Sequence, residues 1–200
     1  MKRVMLICLS LVLALVGGSA ACAEDGFYVI PTMKGNYAPV PKTGMTVSYP
    51  PYYDDGYYET GVASPTPRFT DNGNGTVTDN LTKLIWTKNA NIFAVRMWAQ
   101  AVIDANNLQH GYGGLLDGSK LGDWRLPTIR ELLSLVDYGR LNPALPADYP
   151  FSWVQSSYYW SSTTHQNFPG DARMVYFADG SDALSDKTKY NYVWCVRGGK

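Results

Sequence analysis

The sequence predicts an α+β fold with a largely antiparallel sheet, in which two helices lie between two groups of strands. Short strand-like runs separated by turn residues stand at both ends of residues 67–200, and helical periodicity is confined to the middle. The strand–helix–strand alternation that is typical of parallel sheets is missing from the sequence. With 46% hydrophobic and 14% aromatic residues, a chain of 200 residues has enough apolar surface to bury a core.

Residues 1–23 have the pattern of a secretory signal peptide. Two basic residues precede an apolar run at residues 4–16, and Ala21-Cys22-Ala23 fits the small-residue site that signal peptidase reads. The apolar run is too short to span a bilayer, so we expect no transmembrane segment. A lipoprotein signal with acylation at Cys22 is the alternative, although Ser19 stands where such signals prefer leucine. Both interpretations predict an exported protein.

The charge balance argues against a nucleic-acid partner. The whole chain has 17 basic and 17 acidic residues. Removal of the signal and its two basic residues leaves 15 against 17, a net charge of −2. Proteins that bind a phosphate backbone carry a clustered basic excess. We therefore expect no nucleic acid among the partners.

Residues 24–66 are predicted to form an arm that precedes the main domain at residues 67–200. Seven of the 12 prolines and 7 of the 15 tyrosines lie in residues 24–67. Proline interrupts helices and interior strands, which indicates an extended segment. We expect the tyrosines to pack against the domain. A tyrosine-rich contact surface for a ligand is the alternative.

The main domain begins with a predicted β-hairpin. Residues 68–70 and 76–78 have strand-like composition, and residues 71–75 supply the Asn-Gly pairs that tight hairpin turns require. Residues 84–86 are predicted to form a third strand. Residues 71–79 resemble a calcium loop only superficially, because the alternating acidic pattern and the distal glutamate are absent.

Helical periodicity predicts two helices, at residues 95–108 and 128–136. Apolar residues in the first helix recur along one face, and a glycine-rich turn ends it. The second helix has a capping box formed by Thr128 and Glu131, an apolar stripe, and a stop at Gly139. Three later strands are predicted at residues 158–163, 173–178 and 190–197.

Residues suited to catalysis are sparse. The chain has two histidines, His110 and His165, and lacks the motifs of nucleophilic hydrolases, zinc proteases and nucleotide-binding enzymes. Asp179, Asp182 and Asp186 form an acidic cluster that a carbohydrate-active hydrolase could use together with His165, or that could bind a divalent cation. A solvated hairpin turn explains these residues more simply. We therefore expect no enzymatic activity, metal or cofactor.

Recognition is a better-supported function than catalysis. Trp153, Tyr158, Tyr159 and Trp160 cluster among hydroxyl and amide side chains, a composition suited to stacking on sugar rings or to protein contact. At least one of Tyr158 and Trp160 is expected to face the core instead. The residues that we predict to contact a ligand are Trp153, Tyr158, His165, Asn167, Arg173, Lys187 and Lys189, of which the last three form a late basic cluster.

Several motifs, taken in order, resemble one family. The motifs are Pro67 to Asp79 (PRFTDNGNGTVTD), Leu84-Ile85-Trp86-Thr87, Asp123-Trp124-Arg125-Leu126-Pro127, Arg130-Glu131-Leu132, Tyr159-Trp160-Ser161-Ser162 and Cys195-Val196-Arg197-Gly198. Together they resemble the Lcl C-terminal domain family, which is named after the end domain of the Legionella collagen-like adhesin. The resemblance covers about residues 67–198.

The resemblance implies a C-type-lectin-like fold, with two helices, small antiparallel sheets and long loops, and an adhesion function directed at sulfated glycosaminoglycans. Members of the family often pair a helix cysteine with the cysteine of the last strand. Here Ala105 stands at that helix position, so we expect Cys195 to be unpaired and buried. The net charge of −2 disfavours a heparin-like ligand, and the motifs of calcium-dependent lectins and formylglycine-generating enzymes are missing.

The sequence therefore predicts an exported bacterial binding or adhesion module, located in the periplasm, at the cell surface or in the medium. We expect it to recognise a glycan, glycosaminoglycan-like or other, or a surface protein, mainly through the loops of residues 141–168. A carbohydrate-active hydrolase and a lipid-anchored envelope protein that acts through protein contacts are the alternatives. A homo-oligomer is left open.

Overall fold

Nine short strands and three helices form the described part of the computed structural model, residues 40–50 and 53–198. The predicted signal peptide, Cys22 and the first part of the predicted arm lie outside the described residues. The helices are α1 (Asp55–Tyr58), α2 (Trp98–Asn107) and α3 (Ile129–Ser134). The strands are β1 (Phe69–Asp71), β2 (Thr76–Asp79), β3 (Ile85–Thr87), β4 (Val95–Arg96), β5 (Tyr158–Thr164), β6 (Asp171–Tyr176), β7 (Ser181–Asp186), β8 (Asn191–Tyr192) and β9 (Val196–Arg197).

The first sheet has the strand order β1-β2-β3-β9 and is antiparallel throughout. In the β1–β2 turn, Gly73 and Gly75 have φ angles of 72° and 84°, which glycine adopts without steric cost. The Asn72 amide donates to the hydroxyls of Thr76 and Thr78 at 2.8 and 3.0 Å. The predicted hairpin is confirmed. Because β9 pairs with β3, both ends of the domain meet in one sheet.

The second sheet has the strand order β4-β8-β5-β6-β7 and separates two hydrophobic clusters. Successive residues of β5 point to opposite faces: Tyr159 joins the cluster that contains residues of α3, and Trp160 joins the cluster that contains residues of α2. Both side chains are fully buried. Apart from one parallel contact between β5 and β8, the pairing is antiparallel. The mixed α/β architecture agrees with the predicted α+β class.

Strand pairing shortens the first predicted helix. α2 begins at Trp98 rather than at residue 95, because Val95 pairs with Tyr192 of β8 and Met97 keeps an extended backbone. The Trp98 N–H donates to the Lys187 carbonyl at 3.0 Å, which fixes the start of the helix. The apolar periodicity was correct for α2, but a non-local pairing overrides it at the first two residues.

The second predicted helix is confirmed in position and is shorter than predicted. α3 spans Ile129–Ser134, with Thr128 as its N-cap. The Thr128 hydroxyl accepts from the Glu131 N–H, and the Glu131 carboxylate accepts from the Thr128 N–H, which together form the predicted capping box.

The late strands differ from the prediction in two ways. The single strand predicted at residues 190–197 is wrong: β8 belongs to the second sheet and β9 to the first. Between them, Val193 and Cys195 face one hydrophobic cluster and Trp194 faces the other, so this buried run crosses between the sheets. β7 was not predicted, because a polar edge strand lacks the apolar alternation that marks a half-buried one.

The described part of the arm folds back on itself and attaches to the domain through main-chain hydrogen bonds. The Val62 N–H donates to the Val40 carbonyl at 2.8 Å, and the Lys42 N–H donates to the Val62 carbonyl at 3.1 Å. The Thr43 carbonyl accepts from the Tyr138 N–H at 2.9 Å. The arm is therefore seated beside the segment that follows α3.

The expectation that the arm's tyrosines pack against the domain is wrong for four of them. Tyr49, Tyr53, Tyr57 and Tyr58 are 58–65% exposed. α1 contacts the preceding segment through the buried Gly56, where an added Cβ would overlap the Val47 carbonyl. Because the backbone makes this contact, the tyrosine rings are left facing solvent.

Candidate functional site

The motif at residues 123–127 fastens α3 to the end of the chain. The Arg125 guanidinium donates to both carboxylate oxygens of Glu131, at 2.7 and 2.6 Å, and to the Gly198 carbonyl at 3.1 Å. Burial alone would raise the pKa of Glu131, but the donors of Arg125 and Thr128 outweigh it and hold the pKa below its usual value. The arginine therefore holds the backbone at Gly198 and forms an ion pair with Glu131.

A second ion pair fastens the loop after α2. The Asp117 carboxylate is fully buried and lies 3.1 Å from the Arg197 guanidinium. Its other oxygen accepts from the Ser119 hydroxyl at 2.8 Å, and that hydroxyl accepts from the Trp124 indole N–H at 3.0 Å. Arg197 lies 5.2 Å from the centre of the Trp124 ring. We call Asp117, Trp124, Arg125, Glu131 and Arg197 the framework, because their polar groups are directed at one another.

Trp153 has the opposite character. It lies in the loop between α3 and β5 and is 71% exposed, and its backbone has a φ of +57°. A residue with a Cβ adopts this left-handed conformation at a cost in free energy. The remaining tryptophans are buried or half-buried: Trp86, Trp98, Trp124, Trp160 and Trp194.

Hydrogen bonds on both sides hold the backbone at Trp153. The Ser152 N–H donates to the Lys88 carbonyl at 2.8 Å. The Gln155 side-chain amide donates to the Trp153 carbonyl at 2.9 Å, and the Gln155 N–H donates to the buried Tyr159 hydroxyl at 2.8 Å. The exposed ring therefore projects from a fixed backbone. The sequence showed the tryptophan but gave no signal for the residues that hold it.

The other aromatic residues of the predicted cluster belong to the second sheet. Tyr159 and Trp160 are fully buried, which confirms the expectation that at least one of Tyr158 and Trp160 faces the core. Tyr158 is half-buried and stacks on Tyr176 of β6, with ring centres 4.4 Å apart and an interplanar angle of 26°. Tyr176 was not predicted, because cross-strand neighbours depend on a register that the sequence does not show.

His165 and Asn167 lie at the tip of the β5–β6 hairpin. Phe168, which is 63% exposed, stacks on His165 with ring centres 5.2 Å apart. The Phe168 N–H donates to His165 Nδ1 at 3.2 Å, and Asn167 is exposed beside this pair. Sequence reasoning missed Phe168, although the Pro169-Gly170 turn after it was a signal that the residue sits at a loop tip.

Lys187, the residue that follows β7, supports the same hairpin tip. Its ammonium group donates to the Thr164 hydroxyl at 2.8 Å and to the Pro169 carbonyl at 2.9 Å. It also lies 4.0 Å from the centre of the Trp98 ring. The ammonium group of Lys187 is therefore engaged in two hydrogen bonds and one cation–π contact within the chain.

The other two predicted basic residues have different environments. Arg173 on β6 forms an ion pair with Asp182 on β7 at 3.0 Å, and both side chains are exposed. Lys189 is exposed in the turn between β7 and β8. The late basic cluster thus contains one internally paired side chain, one that holds the hairpin tip and one that faces solvent.

The acidic cluster is divided between the two ends of β7. Asp179 accepts from the Ser181 hydroxyl and N–H, and Asp186 accepts from the Thr188 N–H and hydroxyl; these bonds hold the pKa of both carboxyls below the usual value. Within residues 40–50 and 53–198, no group of three or more metal-ligating side chains is placed to hold a cation. Asp179 and Asp186 therefore cap turns, whereas Asp182 between them pairs with Arg173.

Cys195 is buried and free within the described residues. Ala105 lies in the same hydrophobic cluster, so the helix position that the resemblance implied is on the same side of the core as the thiol. Burial raises the pKa of the Cys195 thiol, with a smaller contribution from the Asp104 charge. The thiol is therefore kept protonated and away from solvent.

These features define a class of protein: a mixed α/β domain whose polar motifs build its framework and whose exposed aromatic side chains lie on loops. Residues 75–197 match the family model of the Lcl C-terminal domain, and the chain belongs to this family. The family is associated with adhesins and is not a known enzyme family. No curated protein sequence matches the chain. None of the described helices is long and apolar enough to cross a bilayer.

Proposed function

We propose that this protein is an exported, non-catalytic adhesion module that binds a glycan or a surface protein, with Trp153 as the principal contact. The observation that carries the proposal is the 71% exposure of Trp153 together with its φ of +57°. The fold gains little stability from a large ring held in solvent on a strained backbone. An aromatic ring in this position is suited to stacking on a sugar face or to filling a pocket on a protein partner.

The hairpin tip supplies the second contact region in this proposal. Phe168 presents an exposed ring that is steadied by His165, and Asn167 beside it offers amide donors and an acceptor. Tyr158, stacked on Tyr176, contributes a half-buried ring on the same strand. Aromatic side chains with few rotatable bonds lose little entropy on binding, which suits them to this role.

Stacking rather than charge dominates recognition in this proposal. Arg173 is paired with Asp182, and Lys187 is held by Thr164 and the Trp98 ring, so an anionic ligand would have to compete with contacts inside the chain. Lys189 remains as a peripheral positive charge. A glycosaminoglycan-like ligand would therefore be bound mainly through its sugar rings, and its affinity would depend only weakly on salt.

Family membership supports the remaining parts of the proposal. We propose a C-type-lectin-like fold for residues 67–200, with α2 and α3 as its two helices. The proposed organisation also includes a signal peptide at residues 1–23 and an arm at residues 24–66. An adhesin-associated domain is compatible with export to the periplasm, the cell surface or the medium.

A glycan and glycosaminoglycan array at two salt concentrations tests the binding function. We expect binding that persists at the higher salt concentration. Intrinsic fluorescence then tests the site, because Trp153 is the most exposed of the six tryptophans and its emission shifts to shorter wavelength when a ligand covers it. Trp153→Ala should lose both the shift and most of the affinity.

Ile103→Ala is the matched control, since Ile103 is also exposed, at 51%, and lies on α2. Equal loss of affinity in both variants would contradict a contact at Trp153. If the protein binds no glycan on the array but still captures a surface protein, a protein ligand would be favoured. Turnover of a bound glycan that disappears in Asp182→Ala or His165→Ala would instead support the hydrolase alternative.

Mass spectrometry of the mature N-terminus tests how the chain is exported. A free Glu24 is expected after cleavage by signal peptidase. A diacylglycerol-modified Cys22 would instead establish a lipid-anchored envelope protein.

A further inference from the structure

We propose that a cavity between the arm and the domain binds a small hydroxylated organic anion, such as a sugar acid. This arm–domain cavity has a volume of about 250 Å³. Part of its wall precedes residues 75–197, which match the family, so the arm of this chain completes the site. The cavity is lined by arm residues 42–44 and 63–64 and by Arg68, Val136, Asp137 and Pro146.

Arg68 supplies fixed N–H donors to the cavity, and its charge is paired with that of the buried Asp79. Its guanidinium donates to both oxygens of the buried Asp79, at 2.8 and 3.0 Å, and to the Ser134 carbonyl at 2.8 Å. A fourth bond, at 3.3 Å, goes to the Ser64 hydroxyl. A guanidinium has five N–H donors, so one Nη1 hydrogen is left without a partner among the described residues.

Two arm residues add further donors. The Lys42 ammonium group donates to Glu59 at 3.0 Å and is 36% exposed, which leaves two of its three hydrogens for a ligand. The Ser64 hydroxyl accepts from Arg68 and keeps its own hydrogen to donate. The arm therefore adds two donor groups to the cavity, of which Lys42 is charged and also pairs with Glu59.

Asp137 supplies an acceptor on the opposite wall. One of its oxygens accepts from the Gly139 N–H at 2.9 Å, and the other is available for a hydroxyl donor. Gly44 allows the arm to approach this carboxylate, because a Cβ at that position would overlap it. The negative charge of Asp137 disfavours a ligand that presents only anionic oxygens.

The combination of donors and one acceptor defines the ligand class. A carboxylate group would satisfy the free hydrogens of Arg68, Lys42 and Ser64, and charge-assisted bonds of this kind are the strong ones. A neighbouring hydroxyl would donate to Asp137. Binding sites for larger ligands have volumes of roughly 300–1,000 Å³, so the arm–domain cavity accommodates one small molecule such as a single sugar acid.

Calorimetric titration of the exported protein with D-glucuronate, D-glucose and sulfate tests the ligand class. We expect saturable binding of glucuronate and a rise in the unfolding temperature that grows with its concentration. Glucose lacks the charge and sulfate lacks the hydroxyl donor for Asp137, so each should bind at least about tenfold more weakly. Equal affinity for sulfate and glucuronate would contradict the proposed ligand class, and so would a failure of glucuronate to bind.

Matched variants test the location. Lys42→Gln should weaken glucuronate binding by about tenfold, whereas Lys88→Gln should leave it unchanged. The two lysines are comparable, because each pairs with one carboxylate and is 36% or 40% exposed. Ala63→Trp, which fills the cavity without changing charge, should abolish binding. Equal effects of Lys42→Gln and Lys88→Gln would overturn the proposal.

The site is distinguishable from the surface at Trp153. Trp153→Ala should leave glucuronate binding unchanged, and Lys42→Gln should leave the Trp153 emission shift on the array ligand unchanged. Loss of glucuronate binding in Trp153→Ala would place the sugar acid at the tryptophan and contradict a site between the arm and the domain.

Discussion

The framework and the Trp153 surface hold their side chains in opposite ways. In the framework, Arg125 and Arg197 direct their guanidinium groups at the carboxylates of Glu131 and Asp117, at 2.6 and 3.1 Å. The Arg125 pair is hydrogen-bonded through both carboxylate oxygens, whereas the buried Arg197 Nε and Asp117 Oδ2 have no hydrogen-bond partner among the described residues. At Trp153, hydrogen bonds fix the backbone and leave the ring in solvent. The comparison shows that contacts within the domain hold the charged groups of the framework, whereas the ring of Trp153 is left exposed.

The largest expected effect is on the framework side, at Trp124. Its ring is fully buried between Arg197 and the core, and its indole N–H donates to Ser119. Trp124→Ala should lower the free energy of unfolding by about 3–5 kcal/mol, since it removes a large buried side chain and leaves a cavity. Urea unfolding followed by circular dichroism measures this change. If the free energy of unfolding fell by less than about 1 kcal/mol, Trp124 would not be a stabilising member of the framework.

Glu131→Gln should have the next largest effect. The variant keeps a capping group and removes the charge that pairs with Arg125, so we expect a loss of about 1–3 kcal/mol at neutral pH. The folded protein lowers the pKa of Glu131 from its ordinary value of 4.5. The stabilisation is therefore present above pH 4.5 and is lost as the pH falls through the lowered folded value.

The stability difference between the wild type and Glu131→Gln should consequently shrink in acid. Urea midpoints measured at neutral pH and at several acidic values test this expectation. A difference that stays constant over this range would show that the charge of Glu131 does not contribute to the framework.

Cys195 offers a smaller test on the framework side, because it precedes β9 directly. In a chain that begins at Glu24 it is the single cysteine, and burial raises the pKa of its thiol. We expect no reaction with a thiol reagent in the native state and one equivalent in urea, since the thiolate is the reactive form. Rapid labelling of the native protein would mean that the core opens next to β9.

The sequence predicted the parts of the molecule that depend on neighbouring residues. The capping box of Thr128 and Glu131 and the Asn-Gly hairpin were predicted correctly, because each is completed within a few residues. The polar edge strand β7 was missed because it lacks apolar alternation, although it pairs with the adjacent β6. The pairing of Val95 with Tyr192 was missed because the two residues lie far apart along the chain. Non-local pairing overrides local propensity in such cases.

The candidate sites could also be predicted only as far as they depend on neighbouring residues. Trp153 was predicted from its aromatic and polar surroundings, but its exposure and its left-handed backbone depend on Ser152 and Gln155. The arm–domain cavity was not predicted at all, because Lys42 and Arg68 meet Asp137 only after the arm folds back. Residue types can suggest recognition, but the tertiary contacts determine which side chains are free to bind.

The smallest expected effect on stability is at Trp153 itself. Glycine adopts a φ of +57° without the steric cost that a Cβ imposes, and the exposed ring contributes little buried surface. Trp153→Gly should therefore change the free energy of unfolding by less than about 1 kcal/mol, with a gain as the favoured direction. The same variant should lose the ligand binding that is measured on the array.

If Trp153→Gly is stable but no longer binds ligand, its effect on stability is the opposite of the effect expected for Trp124→Ala. Such a result would show that the fold tolerates the loss of this tryptophan and that ligand binding does not, a trade-off between stability and function that is common at binding surfaces. Trp153→Ala separates the two causes, because alanine removes the ring and keeps the Cβ strain. If Trp153→Gly instead lost more than about 2 kcal/mol of stability, Trp153 would belong with the framework, and the proposed contact surface would have to be sought at the hairpin tip.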